Sequence, residues 1–206
     1  MATTIGVLAL QGDFEEHVAT LRRLDAATVE VRLPEQLAGL DGLIIPGGES
    51  TTIARLLHQW ALIEPIQERA AQGMAIWGTC AGAILLAERA PDLDREGLRL
   101  MDIEVRRNAF GRQVDSFEAA LSVPTLGPQP FPAIFIRAPI IVRVGPRAEA
   151  LAALSDGTIV AAQQDNLLAT AFHPELTADP RFHRYFVEMA SADRPATASV
   201  AHAAGG

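Results

Sequence analysis

The chain has 206 residues, 49% of them hydrophobic, and Asp+Glu 25 against Lys+Arg 17 give a net charge of −8. That is enough for one α/β domain with a sizeable core, and the acidic balance without a long basic run argues against nucleic-acid binding. No run of ~18 apolar residues could cross a membrane, Met1 to Leu10 lacks the basic region of a signal peptide, and the single cysteine excludes an intramolecular disulfide and points to a reducing, cytoplasmic setting.

Thr4 to Leu10 reads as a buried strand, followed by the turn Gln11-Gly12-Asp13 with Asp13 as a helix cap. Phe14, Val18, Leu21 and Leu24 make the apolar stripe of a first helix. Thr28 to Leu33 is a second strand and Gly42 to Ile45 a third, broken sharply by Pro46-Gly47-Gly48-Glu49-Ser50. Helices are expected through Leu57 and from Pro65 to Gln72. Met74 to Trp77 is a strand, and Ala81 to Glu88 the helix after it. Strands alternating with helices predict a mostly parallel sheet covered on both faces.

The rhythm changes after Pro91. Met101–Arg106, Phe117–Val123, Ala133–Ile136, Ile140–Val144, Thr158–Gln163 and Leu167–Phe172 all read as strands, which predicts an antiparallel portion joined to the parallel sheet. Pro180 to Met189 is the last helix. The expected organisation is one domain over residues 1–190, then an Ala-, Ser- and Gly-rich tail over 191–206 with little to pack, expected to be disordered.

The chemistry centres on Gly78-Thr79-Cys80-Ala81-Gly82, between an apolar strand and an apolar helix. This is the thiol form of a nucleophile elbow, where small neighbours permit a sharp turn and a helix N-terminus faces the sulfur. A lone free cysteine is as often a small core residue; the flanking glycines and the strand-to-helix setting reverse that balance. A thiol nucleophile needs a base. Among five histidines, His17, His58, His183 and His202 read as bland helix or tail residues. His173 ends an apolar run and precedes Pro174-Glu175. Proline holds the preceding residue extended, so His173 and Glu175 are expected to share one side, the carboxylate holding the ring while its other nitrogen faces Cys80. The oxyanion hole is expected from the Ala81 N–H and from Gly47-Gly48, where glycine lets backbone approach a ligand.

Together these residues resemble the triad-type class I glutamine amidotransferases. The match narrows with Ala9 to Asp13, Pro46 to Thr52, Gly78 to Gly82, Arg107 to Phe117, Phe135 to Pro139 and Phe172 to Thr177. These segments are similar to the glutaminase subunits of pyridoxal 5′-phosphate synthases, over about residues 3–190. One departure is Asn108-Ala109-Phe110-Gly111, where the family usually has Asn-Ser-Phe-Gly. The resemblance implies a three-layer α/β fold, a mixed but mostly parallel, flavodoxin-like sheet flanked by helices. It implies hydrolysis of L-glutamine to glutamate and ammonia by Cys80, His173 and Glu175, with Gly48, Glu49, Ser50, Arg107, Ile136 and Arg137 lining the substrate pocket. Sequence alone does not say which arginine takes the carboxylate; Arg107 is preferred. No metal or cofactor is expected. The implied partner is a (β/α)₈-barrel synthase subunit that receives the ammonia in a hetero-oligomer. The Gln11-Gly12 turn is expected to gate activity when that partner docks. The rival readings are another cysteine hydrolase of the same scaffold, such as a peptidase or γ-glutamyl hydrolase, and a non-enzymatic binding protein.

Overall fold

Gly42-Leu43-Ile44-Ile45 offers no polar side chain to either face, a pattern suited to a strand covered on both sides. In the computed structural model, which describes residues 3–107 and 116–192, this run is β3 (Gly42–Ile45), buried throughout. Leu43 and Ile45 join one apolar cluster, and Ile44 joins another on the opposite face. Parallel neighbours follow in the order β2 (Ala27–Val31), β1 (Thr4–Leu8), β3, β4 (Ala75–Thr79) and β12 (Leu167–Thr170). Helices α1 (Phe14–Arg23) and α5 (Arg181–Ala192) close one face through Val18, Leu21, Phe182 and Phe186. Helices α2 (Ser50–Gln59), α3 (Ile63–Ala71) and α4 (Ala81–Leu86) close the other through Ile53, Leu57, Ile66 and Leu85. None of the helices among the described residues is long and apolar enough to cross a membrane.

Beyond β12 the sheet turns antiparallel. β11 (Ile159–Gln164), β9 (Ile140–Val144) and β6 (Met101–Arg106) continue it, β10 (Glu149–Ala153) pairs with β11 off the main path, and β5 (Ala87–Arg89) runs parallel to β6 at the far edge. β7 (Ser116–Leu121) and β8 (Phe131–Ile136) form a separate two-stranded sheet. The fold class is the expected one: a curled, mixed sheet flanked by helices.

Several boundaries differ from the sequence reading. Helix α4 ends at Leu86, because Leu85 and Leu86 carbonyls accept from the returning Leu98 and Leu100 N–H groups and Ala87 turns extended into β5. The Ala-rich β10 was not expected as a strand, and β7–β8 is its own sheet rather than part of the antiparallel extension. Helix α5 continues through Ala192, so Ser191 and Ala192 belong to the folded unit and not to a tail. The Ser191 hydroxyl donates to the Val187 carbonyl at 2.7 Å and lies 2.7 Å from Thr3 Oγ1. The Asn108–Gln113 motif and residues 193–206 lie outside the described residues.

The strand order reverses between β1 and β3, the switch point where open α/β sheets place ligands beyond the carboxyl ends of their strands. The turns after β1, β3 and β4 and the segment after β12 carry Gln11–Asp13, Gly47–Gly48, Cys80 and His173 to that one edge.

Candidate active site

Cys80 sits at the β4–α4 junction with φ 47° and ψ −102°. A left-handed backbone at a residue with a Cβ costs about 1–3 kcal/mol. Its N–H is held by the Thr170 carbonyl of β12 at 2.8 Å. The flanking glycines are sterically required. A Cβ on Gly78 would overlap the Gly82 backbone, and one on Gly82 would overlap the Ile45 carbonyl.

His173 follows β12, and its N–H donates to the Ile134 carbonyl of β8 at 2.8 Å. Its Nδ1 lies 2.7 Å from Glu175 Oε1. This contact does not arise in an extended segment as expected. Pro174–Leu176 is one 3₁₀ turn, and that turn folds Glu175 back onto the ring. The other ring nitrogen is left for Cys80. Burial opposes charging of His173, but hydrogen bonds with Cys80 and Glu175 outweigh it and lift the imidazole to about 10. Burial pushes the Glu175 carboxyl up, against the pull of the His173 hydrogen bond.

Gly47 lies over both groups. A Cβ there would stand 2.5 Å from His173 Cε1 and 3.4 Å from Cys80 Cβ. The Gln11–Gly12 turn is fastened to this loop from the other side. Asp13 N–H donates to the Gly47 carbonyl at 3.2 Å, and Glu49 N–H donates to Gln11 Oε1 at 2.8 Å. Gly12 has φ 103°, and a Cβ on it would overlap the Gly47 carbonyl. With that carbonyl facing Asp13, a trans peptide sends the Gly48 N–H the opposite way.

A cleft of about 490 Å³ opens at this edge, lined by Gln11, Gly48, Glu49, Ser50, Cys80, Ala81, Arg107, Ile136, Arg137 and His173, among others. Gly12, Gly47 and Glu175 stand immediately behind its wall. Every site residue expected from sequence therefore meets here. The Ile136 carbonyl lies 4.0 Å from the sulfur. The two arginines differ. Arg107 Nη2 lies 2.9 Å from Glu49 Oε1, and its N–H donates to Asp92 Oδ2 at 3.1 Å. Arg137, at φ 42°, has no ion pair among the described residues. Glu49 also caps α2, accepting from the Thr52 N–H at 2.8 Å and from the Thr51 hydroxyl. Burial opposes its ionisation, but these hydrogen bonds hold its carboxyl at about 2. Asp13 Oδ2 lies 3.5 Å from His173 Nδ1. Asp13, His173 and Glu175 are the one group among the described residues close enough to share a metal, but His173 Nδ1 is already engaged by Glu175.

Two histidines were misjudged from sequence. His17 and His183 are fully buried, not surface groups. His17 Nδ1 lies 2.9 Å from His183 Nε2, and its Nε2 lies 3.3 Å from both Thr79 Oγ1 and Glu175 Oε2. The signal was present: His17 shares the stripe of Phe14, Val18 and Leu21 at helical spacing. His58 is the ordinary case, with Nε2 on the Glu96 carbonyl near the surface.

Comparison with known proteins gives the family. The pyridoxal 5′-phosphate synthase subunit PdxT of Herpetosiphon aurantiacus is 64% identical over 189 residues, covering 90% of this chain and all of the relative. That of Dehalococcoides mccartyi is 60% identical over 193 residues, covering 93% and 99%. A crystal structure of a glutamine amidotransferase superposes with a TM-score of 0.86 at 49% identity, covering 91% of this chain and 98% of that one. The model of the SNO glutamine amidotransferase family matches residues 7–192, ending where α5 ends, and the chain is a member of that family.

Proposed function

We propose that the chain is the glutaminase subunit of a pyridoxal 5′-phosphate synthase, hydrolysing L-glutamine to L-glutamate and ammonia for use by a synthase subunit. One observation carries the chemistry. An imidazole fixed by a buried carboxylate at 2.7 Å shares a cleft with the only thiol of the chain. Membership of a glutamine amidotransferase family supports the substrate, and kinship with subunits of pyridoxal 5′-phosphate synthase supports the partner.

In this reading Cys80 Sγ, its proton transferred to His173, attacks the side-chain amide carbon, and the carbonyl oxygen becomes an oxyanion. The Ala81 N–H and the Gly47–Gly48 backbone stabilise it. His173 gives its proton to the nitrogen as the C–N bond breaks, releasing ammonia and leaving a γ-glutamyl thioester. Water then attacks the thioester, His173 takes its proton and passes it to the sulfur as the C–S bond breaks, freeing glutamate and the thiol. Glu175 keeps the imidazole oriented and offsets its positive charge. Gly48, Glu49, Ser50 and Ile136 shape the pocket. Arg137 takes the substrate α-carboxylate. This reverses the preference for Arg107, whose guanidinium already serves Glu49.

Ammonia that escapes into water is protonated and ceases to be a nucleophile, so the partner, a barrel subunit in a hetero-oligomer, docks where the cleft opens. The Gln11–Gly12 turn is the gate in this reading, since it grips the Gly47 carbonyl through Asp13 N–H. The lone thiol suits a reducing compartment, and the proposal places the protein in the cytoplasm. The test is steady-state ammonia release at saturating glutamine across a titration of synthase subunit. The rate should rise from a low basal level to saturation. A flat titration in a mixture shown by sedimentation to be associated removes the gate. No release with or without partner removes the glutaminase.

A further inference from the structure

Glu175 uses only one of its oxygens on His173. Its Oε2 is buried without a conventional hydrogen-bond partner. The group facing it is His17 Nε2 at 3.3 Å, from helix α1, and the far nitrogen of His17 meets His183 from α5 at 2.9 Å. The pair is fully buried, edge-on to Trp77 of β4, with ring centroids 5.7 and 5.0 Å away. Burial, with Coulombic opposition from His183 and His173, holds His17 neutral, and burial with opposition from Arg23 holds His183 neutral, at about 3. Besides the Glu175 carboxylate, the charged groups bearing on this set are therefore His173, Arg23 and Asp13.

A neutral imidazole has one N–H, so the contacts limit the proton arrangement. If His17 carried its proton on Nδ1, its Nε2 lone pair would face the Glu175 oxygen. His183 would then bury an unpaired Nδ1–H, since that nitrogen has no partner. If His183 Nε2–H donates instead, His17 Nδ1 accepts and its Nε2–H points to Glu175 Oε2 and Thr79 Oγ1. Only an acceptor, His183 Nδ1, is then left unpaired, which is the smaller cost. The Nε2–Oε2 separation is long for a hydrogen bond, as catalytic contacts often are before substrate binds.

We propose that His17 is a positioning residue for glutamine hydrolysis: its Nε2–H, fixed by His183, donates to Glu175 Oε2 and keeps the carboxylate in place against His173. This rests on the assignment of Cys80, His173 and Glu175 above. The buried carboxylate then has a donor on each oxygen, and the His173 imidazolium stays paired as Cys80 reacts.

The test compares two substitutions in the complex with the synthase subunit. His17→Gln keeps an N–H near the Nε2 position, whereas His17→Asn keeps one only near Nδ1. For His17→Asn, kcat should fall at least about tenfold with KM within about twofold. The alkaline limb of kcat/KM should move to lower pH, because a less supported carboxylate holds the proton on His173 less firmly. His17→Gln should recover most of the rate. In a Glu175→Gln background, His17→Asn should cost less than about twofold, because the two act through one contact. Wild-type kcat in His17→Asn, equal loss in both variants, or additive losses with Glu175→Gln would each overturn the proposal. Should His17→Asn not fold, His183→Asn takes its place, since it removes the Nε2–H that fixes the His17 tautomer; unchanged kcat and pH profile there would be equally fatal. Cys80→Ala in the same assay separates the two levels. If it retains activity, the assignment of the nucleophile fails and takes this inference with it. If it is inactive while His17→Asn is normal, only the inference about His17 fails.

Discussion

Strands β3, β4 and β12 are buried at every residue, whereas β8 alternates between core and outer positions and β7 and β9 are only partly covered. The parallel half carries Cys80, Gly47 and the segment leading to His173. The antiparallel flank and the hairpin carry Arg107, directly after β6, and Arg137, directly after β8. In the proposed reading the bond-making groups thus hang from the fully buried strands, and the charge-recognising groups from the more exposed flank. The difference suggests a division of labour. Substitutions at the ends of parallel strands should act mainly on kcat, and substitutions on the flank mainly on KM.

The largest effects should come from the reacting groups. Cys80→Ala should reduce ammonia release by at least about 10⁴-fold with an unchanged circular dichroism spectrum, and His173→Asn should be nearly as severe. Glu175→Gln should be milder by about one to two orders of magnitude, since the carboxylate orients the ring and transfers no proton. Equal loss at Glu175 and Cys80 would assign the carboxylate a direct role.

Next comes Gly47→Ala. The new methyl would stand 2.5 Å from His173 Cε1, so the ring or the loop must move. A displacement approaching 1 Å between reacting groups costs about 10²-fold. The measurement is kcat, with KM expected to change little. A large rise in KM with kcat intact would show that Gly47 belongs to binding and would blur the division between the two halves.

On the flank, Arg137→Ala should raise KM about 10- to 100-fold, the weight of one charge-assisted hydrogen bond, with a smaller fall in kcat. Arg107→Ala should have less effect on KM and should also release Glu49. If Arg107→Ala proves the more damaging to KM, the carboxylate assignment reverts to Arg107.

Protons divide the molecule in a similar way. His173 is raised to about 10, so its contribution to stability is complete below about 6.5 and is lost as pH climbs toward 10. His17 and His183 are lowered, so the folded state resists protonation that the unfolded chain accepts. Their contribution is complete above about 6.5 and falls below it by about 1.4 kcal/mol per pH unit for each imidazole. Stability should therefore peak near pH 6.5 in these three terms. Urea titrations across pH should show His183→Phe flattening the acid side and His173→Asn the alkaline side. An unchanged acid slope in His183→Phe would mean that another group titrates there.

The same boundary separates what could be read from sequence. Short apolar runs closed by Gly and Pro, such as Gly42 to Pro46, announce buried strands and the turns that hold ligands. The elbow was legible because its backbone leaves no room for a Cβ at Gly78 or Gly82, whereas the His173–Glu175 contact was expected from extended backbone and is made instead by a 3₁₀ turn. β10 was not, because Glu149-Ala150-Leu151-Ala152-Ala153 has little strand propensity and becomes a strand through pairing with β11. β5 has only three residues, too few to show a period. His17 and His183 were missed because their burial depends on two helices meeting over β4. Helical spacing hinted at it, but the pairing partner lies 166 residues away.

The smallest effect concerns the end of the chain. Residues 193–206 contain Val200 as their one large apolar side chain, so they can bury little. The family match ends at 192, and a relative aligned over its whole length covers 90% of this chain. Truncation after Ala192 should change stability by less than about 0.5 kcal/mol, a Tm shift of about 1–2 °C, and leave glutaminase activity unaltered. Truncation after Ala190 should cost measurably more. It removes Ser191, whose hydroxyl donates to the Val187 carbonyl and meets Thr3 Oγ1 ahead of β1. That contact joins the last helix to the first strand of the parallel half. A pair of chains differing by two residues, compared by thermal melting, therefore locates the edge of the fold. Equal Tm values for the two would show that the contact adds nothing, and a large drop at Ala192 would show that 193–206 pack against the domain.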